Sequence, residues 1–158
     1  HAERRDIVRG ELVSSGFEVV LRSQFAAPRD PMMAVLVVDS TGELRDWTAG
    51  ADVVVIGKSF LARGGQNPAE AIAAGLPVVC GPHMENFEPL ITGLREAGAV
   101  RDATLGTLGE VVAEVLGDSK GRRAMTEAAS AVLARHAGAT GRTVDLLAGL
   151  TGEGRMPS

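Results

Sequence analysis

The chain has 158 residues, of which 45% are hydrophobic and 23% are charged, and its formal net charge is −4 at pH 7. These values are typical of one soluble globular domain and exclude a wholly disordered chain. With one cysteine, four Phe and one Trp on an acidic chain, we exclude a disulfide framework, a cysteine-based zinc site and a nucleic-acid partner.

The start of the chain, HAERRDIVRG, has no apolar core and is therefore not a signal peptide. No apolar run approaches the roughly 18 residues that would predict a membrane-spanning helix. The first residue is not Met, so we expect the chain to be part of a longer protein.

Taken in chain order, amphipathic segments alternate with short apolar runs. Residues 3–14 predict an amphipathic helix that ends at Gly16, and residues 17–23 predict a short strand. Strands are predicted at 33–39, 51–57, 77–81 and 99–102, and helices at 42–50, 67–75, 86–98, 107–118, 119–138 and 141–150. The runs 33–39 and 51–57 are apolar enough to be buried on both faces. This alternation predicts an α/β fold with a parallel sheet flanked by helices.

We expect residues 1–150 to form one Rossmann-like domain and residues 151–158 to form a flexible tail. The first helix has no strand before it, so we also expect a first strand just upstream of His1. Ligands of such folds bind outside the carboxyl ends of the strands. Here those ends are followed by loops rich in glycine and polar residues, at 39–43, 57–65 and 80–83.

The segment G-G-Q-N-P-A-E carries the densest functional signal. Gly64 and Gly65 allow a close backbone approach or a positive φ. Asn67 as N-cap and Pro68 at the first helical position predict a helix start, whose free N–H groups form an anion site. Glu70 in the first turn could accept two hydroxyls, as a ribose offers. The alternative is a capped helix in which Glu70 only complements the dipole.

The segment D-S-T-G-E-L follows the strand at 33–39. Thr41 and the backbone N–H groups of Gly42 and Glu43 could meet a phosphate or a base edge. A compatible alternative is a capping box, in which Ser40 is the N-cap and Glu43 its partner. Trp47 in the following helix is expected in the core.

Two further loops carry polar side chains. Lys58 and Arg63 could meet a phosphate or a carboxylate, although solvated loop charges are an equal alternative. His83 and Glu85 are too few ligands for a metal site. We expect His83 to contact a ligand or to fix its loop by a hydrogen bond, and Cys80 to be a small apolar filler.

In this order, three segments resemble the C-terminal domain of 3-deoxy-D-manno-octulosonic acid (Kdo) transferases: D-S-T-G-E-L, G-K-S-F…R-G-G-Q-N-P-A-E and G-L-P-V-V-C-G-P-H-M-E-N-F. The family patterns are D-T-x-G-E-L, G-G-S-…-G-G-H-N-x-x-E-P and G-P-H-x-x-N-F, at similar spacing. The resemblance is close over residues 36–98. H-A-E-R at residues 1–4 is similar to the end of the family's R-H-P-E-R segment, which follows the first strand of that domain.

The resemblance implies the nucleotide-sugar-binding C-terminal half of a GT-B fold, with CMP-Kdo as donor. It implies an inverting transfer of Kdo to a lipid A precursor without a metal or cofactor. The catalytic base and the acceptor site would belong to an N-terminal domain, so this chain alone would be inactive. The whole protein would work at the cytoplasmic face of the bacterial inner membrane through an upstream segment, and this chain would be soluble.

Carried over by motif position, the resemblance also implies the residues of a donor site. Gly42 and Glu43 would line the nucleotide pocket, and Glu70 would bind the ribose hydroxyls. His1 and Arg4 would reach the phosphate or the Kdo carboxylate.

The phosphate and the sugar would be approached by Ser59, Gly64, Gly65 and Asn67. The chain departs from the family pattern at four positions: Ala2 and Ala71 replace prolines, Lys58 replaces a glycine and Gln66 replaces a histidine. Gln66 can form a hydrogen bond but cannot carry a proton. A shifted donor specificity is therefore one alternative, such as a UDP-linked sugar. The other is a non-catalytic binding module on the same fold.

Overall fold

The computed structural model of the chain describes residues 2–24 and 34–137. Contacts between Cα atoms divide the chain into two compact units, His1–Trp47 and Thr48–Ser158. Each unit contains a parallel sheet. The predicted helix at 141–150, the tail at 151–158 and His1 lie outside the described residues. The domain boundary at residue 150 and the strand upstream of His1 therefore stay predictions.

The first unit begins with helix α1 (Ala2–Ser14), which ends where Gly16 adopts a φ of +90°. Strands β1 (Glu18–Leu21) and β2 (Ala34–Val37) pair in parallel, from Glu18 beside Ala34 to Leu21 beside Val37. A 3₁₀ turn at Arg22–Gln24 follows β1, and helix α2 (Leu44–Ala49) follows β2. The predicted helix at 3–14 and both strands of this unit are confirmed.

The second unit contains a three-stranded parallel sheet in the order β3-β4-β5. Its strands are β3 (Val54–Ile56), β4 (Val78–Cys80) and β5 (Arg101–Asp102). Its helices are α3 (Lys58–Leu61), α4 (Ala69–Ala73), α5 (Leu90–Glu96), α6 (Leu108–Gly117) and α7 (Ser119–Ala137). The predicted α/β class, with parallel strands and helices in alternation, is confirmed.

Successive residues of β4 point to opposite faces of the sheet and so belong to two cores. Val78 and Cys80 pack with residues of α4, α5 and α7, including Ile72, Ile91 and Val132. Val79 packs with Ala103, Val115 and Met125, on the side of α6 and α7. Because β4 is central, it is buried on both faces, and it fixes the positions of the loops at its carboxyl end.

Three expectations about packing are wrong in detail. The residues of β2 are half-buried, and Val55 of β3 is 37% exposed. In the described sheet β3 is an edge strand with one neighbour, which explains its incomplete burial. Trp47 is 38% exposed rather than in the core, because its indole N–H bonds the carboxylate of Glu43 near the surface.

Some boundaries also differ from the prediction. Residues 58–61, predicted as loop, form the short helix α3. The helix predicted at 86–98 begins only at Leu90, because Glu85–Phe87 forms a separate 3₁₀ turn and Pro89, which lacks an N–H, caps α5. Proline and polar turn residues shorten helices at their first turn, where periodicity alone gives no boundary.

The tight contact at Gly81 predicts that Gly81→Ala destabilises the protein. A Cβ there would lie 2.6 Å from the carbonyl oxygen of Ser59 and 2.9 Å from Cδ1 of Phe60, so backbone would have to shift. We expect a loss of about 1–3 kcal/mol in the free energy of unfolding, measured by urea denaturation.

Gly109→Ala is the matched control. No heavy atom lies within 4 Å of its added Cβ, and the site is in helix α6. This variant should be as stable as the wild type or more stable by about 0.5–1 kcal/mol. Equal stability of the two variants would contradict the close approach at Gly81.

Candidate functional site

The buried hydroxyl of Ser59 connects the carboxyl ends of β3 and β4. Its Oγ donates to the carbonyl of Ile56 and accepts the backbone N–H of Gly81 at 2.7 Å. The carbonyl of Ser59 accepts the N–H of His83 at 3.0 Å. Ser59 is 0% exposed, so its hydroxyl holds the protein's own backbone. Its predicted contact with a donor stays a prediction.

Gly64 and Gly65 pack directly against the loop that follows β4. Their φ angles are +95° and +62°. A Cβ at Gly64 would lie 2.5 Å from Nδ2 of Asn86, and one at Gly65 would lie 2.8 Å from the carbonyl oxygen of His83. The expected positive φ and close approach are thus confirmed, and the surface approached is the chain's own. We call these contacts between residues 63–65 and 83–86 the glycine clamp.

A carboxylate completes the glycine clamp. Glu85 accepts the N–H of Gly64 at 2.8 Å, and it lies 3.3 Å from Nδ1 of His83 and 3.5 Å from Nε of Arg63. The hydrogen bond from Gly64 is the main reason that the pKa of Glu85 falls to about 2. His83 therefore fixes its loop, as expected. Sequence reasoning considered Glu85 only as a metal ligand, since nothing in the segment shows that it faces the glycines.

The exposed side chains next to the glycine clamp belong to the predicted donor site. Gln66, Asn67 and Glu70 are exposed, and Glu70 lies in the first turn of α4. The expected N-cap is wrong by one residue: α4 begins at Ala69 with Pro68 as its cap. Oδ1 of Asn67 instead accepts the N–H of Ala69 at 3.0 Å, so it still satisfies one free donor of the helix start.

In the first unit, the carboxylate of Glu43 is held by Arg22, Trp47 and Ser40. It accepts Nε of Arg22 at 2.9 Å and Nε1 of Trp47 at 3.2 Å, and the guanidinium of Arg22 lies 6.0 Å from the centre of the Trp47 ring. The hydrogen bond from Trp47 is the largest cause that lowers the pKa of Glu43, and Ser40 and Arg22 lower it further. Glu43 is therefore an oriented anion.

The predicted capping box does not form, because α2 begins later than expected. The carbonyl of Glu43 accepts the N–H groups of Asp46 and Trp47, so Glu43 occupies the cap position before Leu44. Gly42 has a φ of +87°, and no heavy atom lies within 4 Å of the place of its missing Cβ. The backbone before α2 is thus open to approach.

Asp39, at the end of β2, is a further fixing residue that sequence reasoning missed. It accepts the N–H and the hydroxyl of Ser23 at 2.9 and 2.6 Å, and its side chain is 3% exposed. These two bonds are the main causes that lower its pKa, and Arg5 at 3.4 Å adds to them. Arg4 is exposed on α1, and Lys58 is exposed on α3.

Residues 2–24 and 34–137 contain neither a metal-ligating cluster nor a helix that could cross a membrane. In these ranges no three or more His, Cys, Asp or Glu side chains are grouped so that they could hold a metal ion. No helix within the same ranges combines the length and apolarity that crossing a bilayer requires.

The chain is similar in sequence to Kdo transferases. It is 40% identical over 148 residues to 3-deoxy-D-manno-octulosonic acid transferase of Bordetella pertussis and 32% identical over 149 residues to that of Haemophilus influenzae. Each alignment covers 93% of this chain and 35% of the relative, so the chain spans about a third of these proteins. No family model matches the chain.

A solved structure has the same fold. The crystal structure of the C-terminal CMP-Kdo binding domain of WaaA from Acinetobacter baumannii superposes with a TM-score of 0.77 at 25% sequence identity. The superposition covers 84% of this chain and 69% of that one. The predicted α/β fold, with parallel sheets flanked by helices, is therefore confirmed, and it matches the fold of that C-terminal domain.

Because Ser59 is the buried connection between two strands, Ser59→Ala should destabilise the protein. The variant leaves the N–H of Gly81 without its acceptor, which costs about 1–3 kcal/mol in the free energy of unfolding. Chemical denaturation measures this loss. Thr126→Ala is the control, because its hydroxyl bonds a carbonyl at an exposed site. An equal loss of unfolding free energy in Thr126→Ala would contradict the role assigned to the buried hydroxyl of Ser59.

The lowered pKa of Glu85 predicts a pH dependence of stability. Its carboxylate stabilises the folded state at pH values above its ordinary pKa of 4.5, and this contribution is lost as the pH falls toward about 2. The wild type should therefore have a higher melting temperature than Glu85→Gln at neutral pH, and the difference should shrink below pH 4.5. A difference that does not change from pH 7 to pH 2.5 would contradict this.

Proposed function

This chain is a homologue of Kdo transferases with the fold of their C-terminal domain, and we propose on that basis that it binds the donor CMP-Kdo. The longer protein would transfer Kdo from CMP-Kdo to a lipid A precursor in lipopolysaccharide biosynthesis. Its remaining part would supply the acceptor site, the catalytic base and the association with the cytoplasmic face of the inner membrane. The chain alone would be soluble, and it would bind the donor without turnover.

The observation that carries this proposal is the glycine clamp at the carboxyl end of the sheet. Ligands of parallel α/β sheets bind at this end. The backbone of Gly64 and Gly65 is held rigidly there, beside the exposed side chains of Asn67 and Glu70. A fixed backbone needs no reorganisation when it meets a phosphate, which makes its dipoles effective.

The proposed donor contacts are assigned by motif position, and the exposure of Gln66, Asn67 and Glu70 supports them. The carboxylate of Glu70 accepts the two ribose hydroxyls of the nucleotide, while Gln66 and Asn67 offer amide groups to the phosphate and the sugar. Ser59 is buried, so its contribution is to hold the loop after β4 in place. In the first unit, Gly42 leaves the backbone before α2 open. Arg4 and His1 would contribute positive charge toward the phosphate or the Kdo carboxylate.

In the proposed reaction, an acceptor hydroxyl attacks the anomeric carbon of Kdo from the face opposite the phosphate. The bond between that carbon and the CMP oxygen breaks, so the configuration inverts. The acceptor proton goes to the base outside this chain. CMP leaves with both electrons of the broken bond, and hydrogen-bond donors of this chain stabilise the charge that develops on its phosphate. No metal is required in this scheme.

We expect calorimetric titration of the chain to show tighter binding of CMP than of UMP or AMP. Glu70→Ala should weaken CMP binding about tenfold, because two hydrogen bonds to a charged acceptor are lost. The fold should remain, since Glu70 is exposed.

Glu110→Ala is the matched control, because Glu110 is an exposed glutamate in the first turn of α6. It removes the same charge from the first turn of another helix and should bind CMP like the wild type. Equal affinity for CMP and UMP would point to a different nucleotide sugar. Wild-type affinity of Glu70→Ala would contradict the ribose assignment.

A further inference from the structure

Three nitrogen groups lie close to the carboxylate of Glu85, and they come from two different loops. The N–H of Gly64 and Nε of Arg63 belong to the loop after β3, while Nδ1 of His83 belongs to the same loop as Glu85. The distances are 2.8, 3.5 and 3.3 Å. Glu85 therefore joins the two loops by a charge-assisted hydrogen bond and an ion pair, of which the hydrogen bond is the stronger interaction because Arg63 is 87% exposed.

The bond from Gly64 matters because it gives a partly buried backbone N–H its acceptor. Residue 64 has a φ of +95°, and its N–H is in a partly buried place. Asn86 and Met84 pack against the two glycines, but these contacts do not satisfy the N–H of Gly64. The carboxylate of Glu85 is its acceptor in the structure. Without the carboxylate of Glu85, the N–H of Gly64 would lose this hydrogen bond, and the conformation of the two glycines would be less stable.

We propose that Glu85 is a positioning residue for the donor site: by holding the buried backbone of Gly64 and Gly65, it places the exposed residues Gln66 and Asn67 that CMP-Kdo meets. The inference rests on the proposed function, in which these glycines border the donor. The family pattern G-P-H-x-x-N-F specifies no residue at the position of Glu85. The bond between Glu85 and Gly64 is therefore a feature of this chain that the pattern does not imply. Glu85 acts through the glycines and is not itself a contact of the donor.

The alternative is that Glu85 hinders the donor. Its carboxylate would then occupy a place that the donor phosphate needs, and its removal would tighten the binding of CMP. The geometry favours positioning, because Gly64 is buried beneath Asn86 and Glu85, while the exposed surface of this segment begins at Gln66. A phosphate can therefore reach the segment without displacing Glu85.

Two variants distinguish these roles. In Glu85→Gln, the amide oxygen can still accept the N–H of Gly64, whereas Glu85→Ala removes the acceptor. Hydrogen exchange of the Gly64 amide, followed by NMR in the unliganded chain, should accelerate about tenfold in Glu85→Ala and much less in Glu85→Gln. The dissociation constant of CMP should rise about tenfold in Glu85→Ala and stay within about threefold of the wild type in Glu85→Gln.

Glu88→Ala is the matched control, because it removes the same charge three residues later, where the carboxylate bonds Thr92 at 2.6 Å. It should leave the exchange of Gly64 and the affinity for CMP unchanged. Unchanged exchange of Gly64 in Glu85→Ala would overturn the proposal, and so would tighter CMP binding. If the wild type does not bind CMP, the proposed function fails, while the exchange of Gly64 still decides whether Glu85 holds the glycines.

Discussion

The arrangement of the candidate site depends on the close contact between the loops that follow β3 and β4. The contact joins the glycines that follow α3 to the 3₁₀ turn at Glu85–Phe87 and the residues before it. Two glycines at positive φ allow the approach, Ser59 connects the strand ends beneath it, and Glu85 satisfies the N–H of Gly64. In the proposed donor site, a backbone that is fixed before the ligand arrives would favour the binding of a phosphate ester.

The chain fixes its backbone with buried or oriented carboxylates in both units. Asp39 holds the turn after β1 through Ser23, and Glu85 holds the glycine loop through Gly64. In each case a carboxylate accepts a backbone N–H, and its pKa is lowered as a result. Glu43 is oriented in a related way by Arg22 and Trp47.

The alternation of strands and helices and the need for glycine at residues 64 and 65 could be predicted from the sequence. Both depend on local patterns, namely apolar runs and residue types with special backbone freedom. The role of Glu85 could not be predicted, because it arises from a contact between residues 21 positions apart. The burial of Ser59 was missed for the same reason. Trp47 was misplaced because an indole was assumed to be apolar, although its N–H bonds Glu43 at the surface.

A crystal structure of the chain in complex with CMP would show whether the nucleotide binds beside the glycine clamp. We expect CMP at the carboxyl end of the sheet, with its ribose hydroxyls on Glu70 and its phosphate beside residues 64–67, while the bond between Glu85 and Gly64 persists. The second unit also has a cavity of about 520 Å³, lined in part by Gly98, Arg101 and Met125, near the amino end of β5. CMP bound in that cavity, or a phosphate that displaces Glu85 from Gly64, would contradict the account.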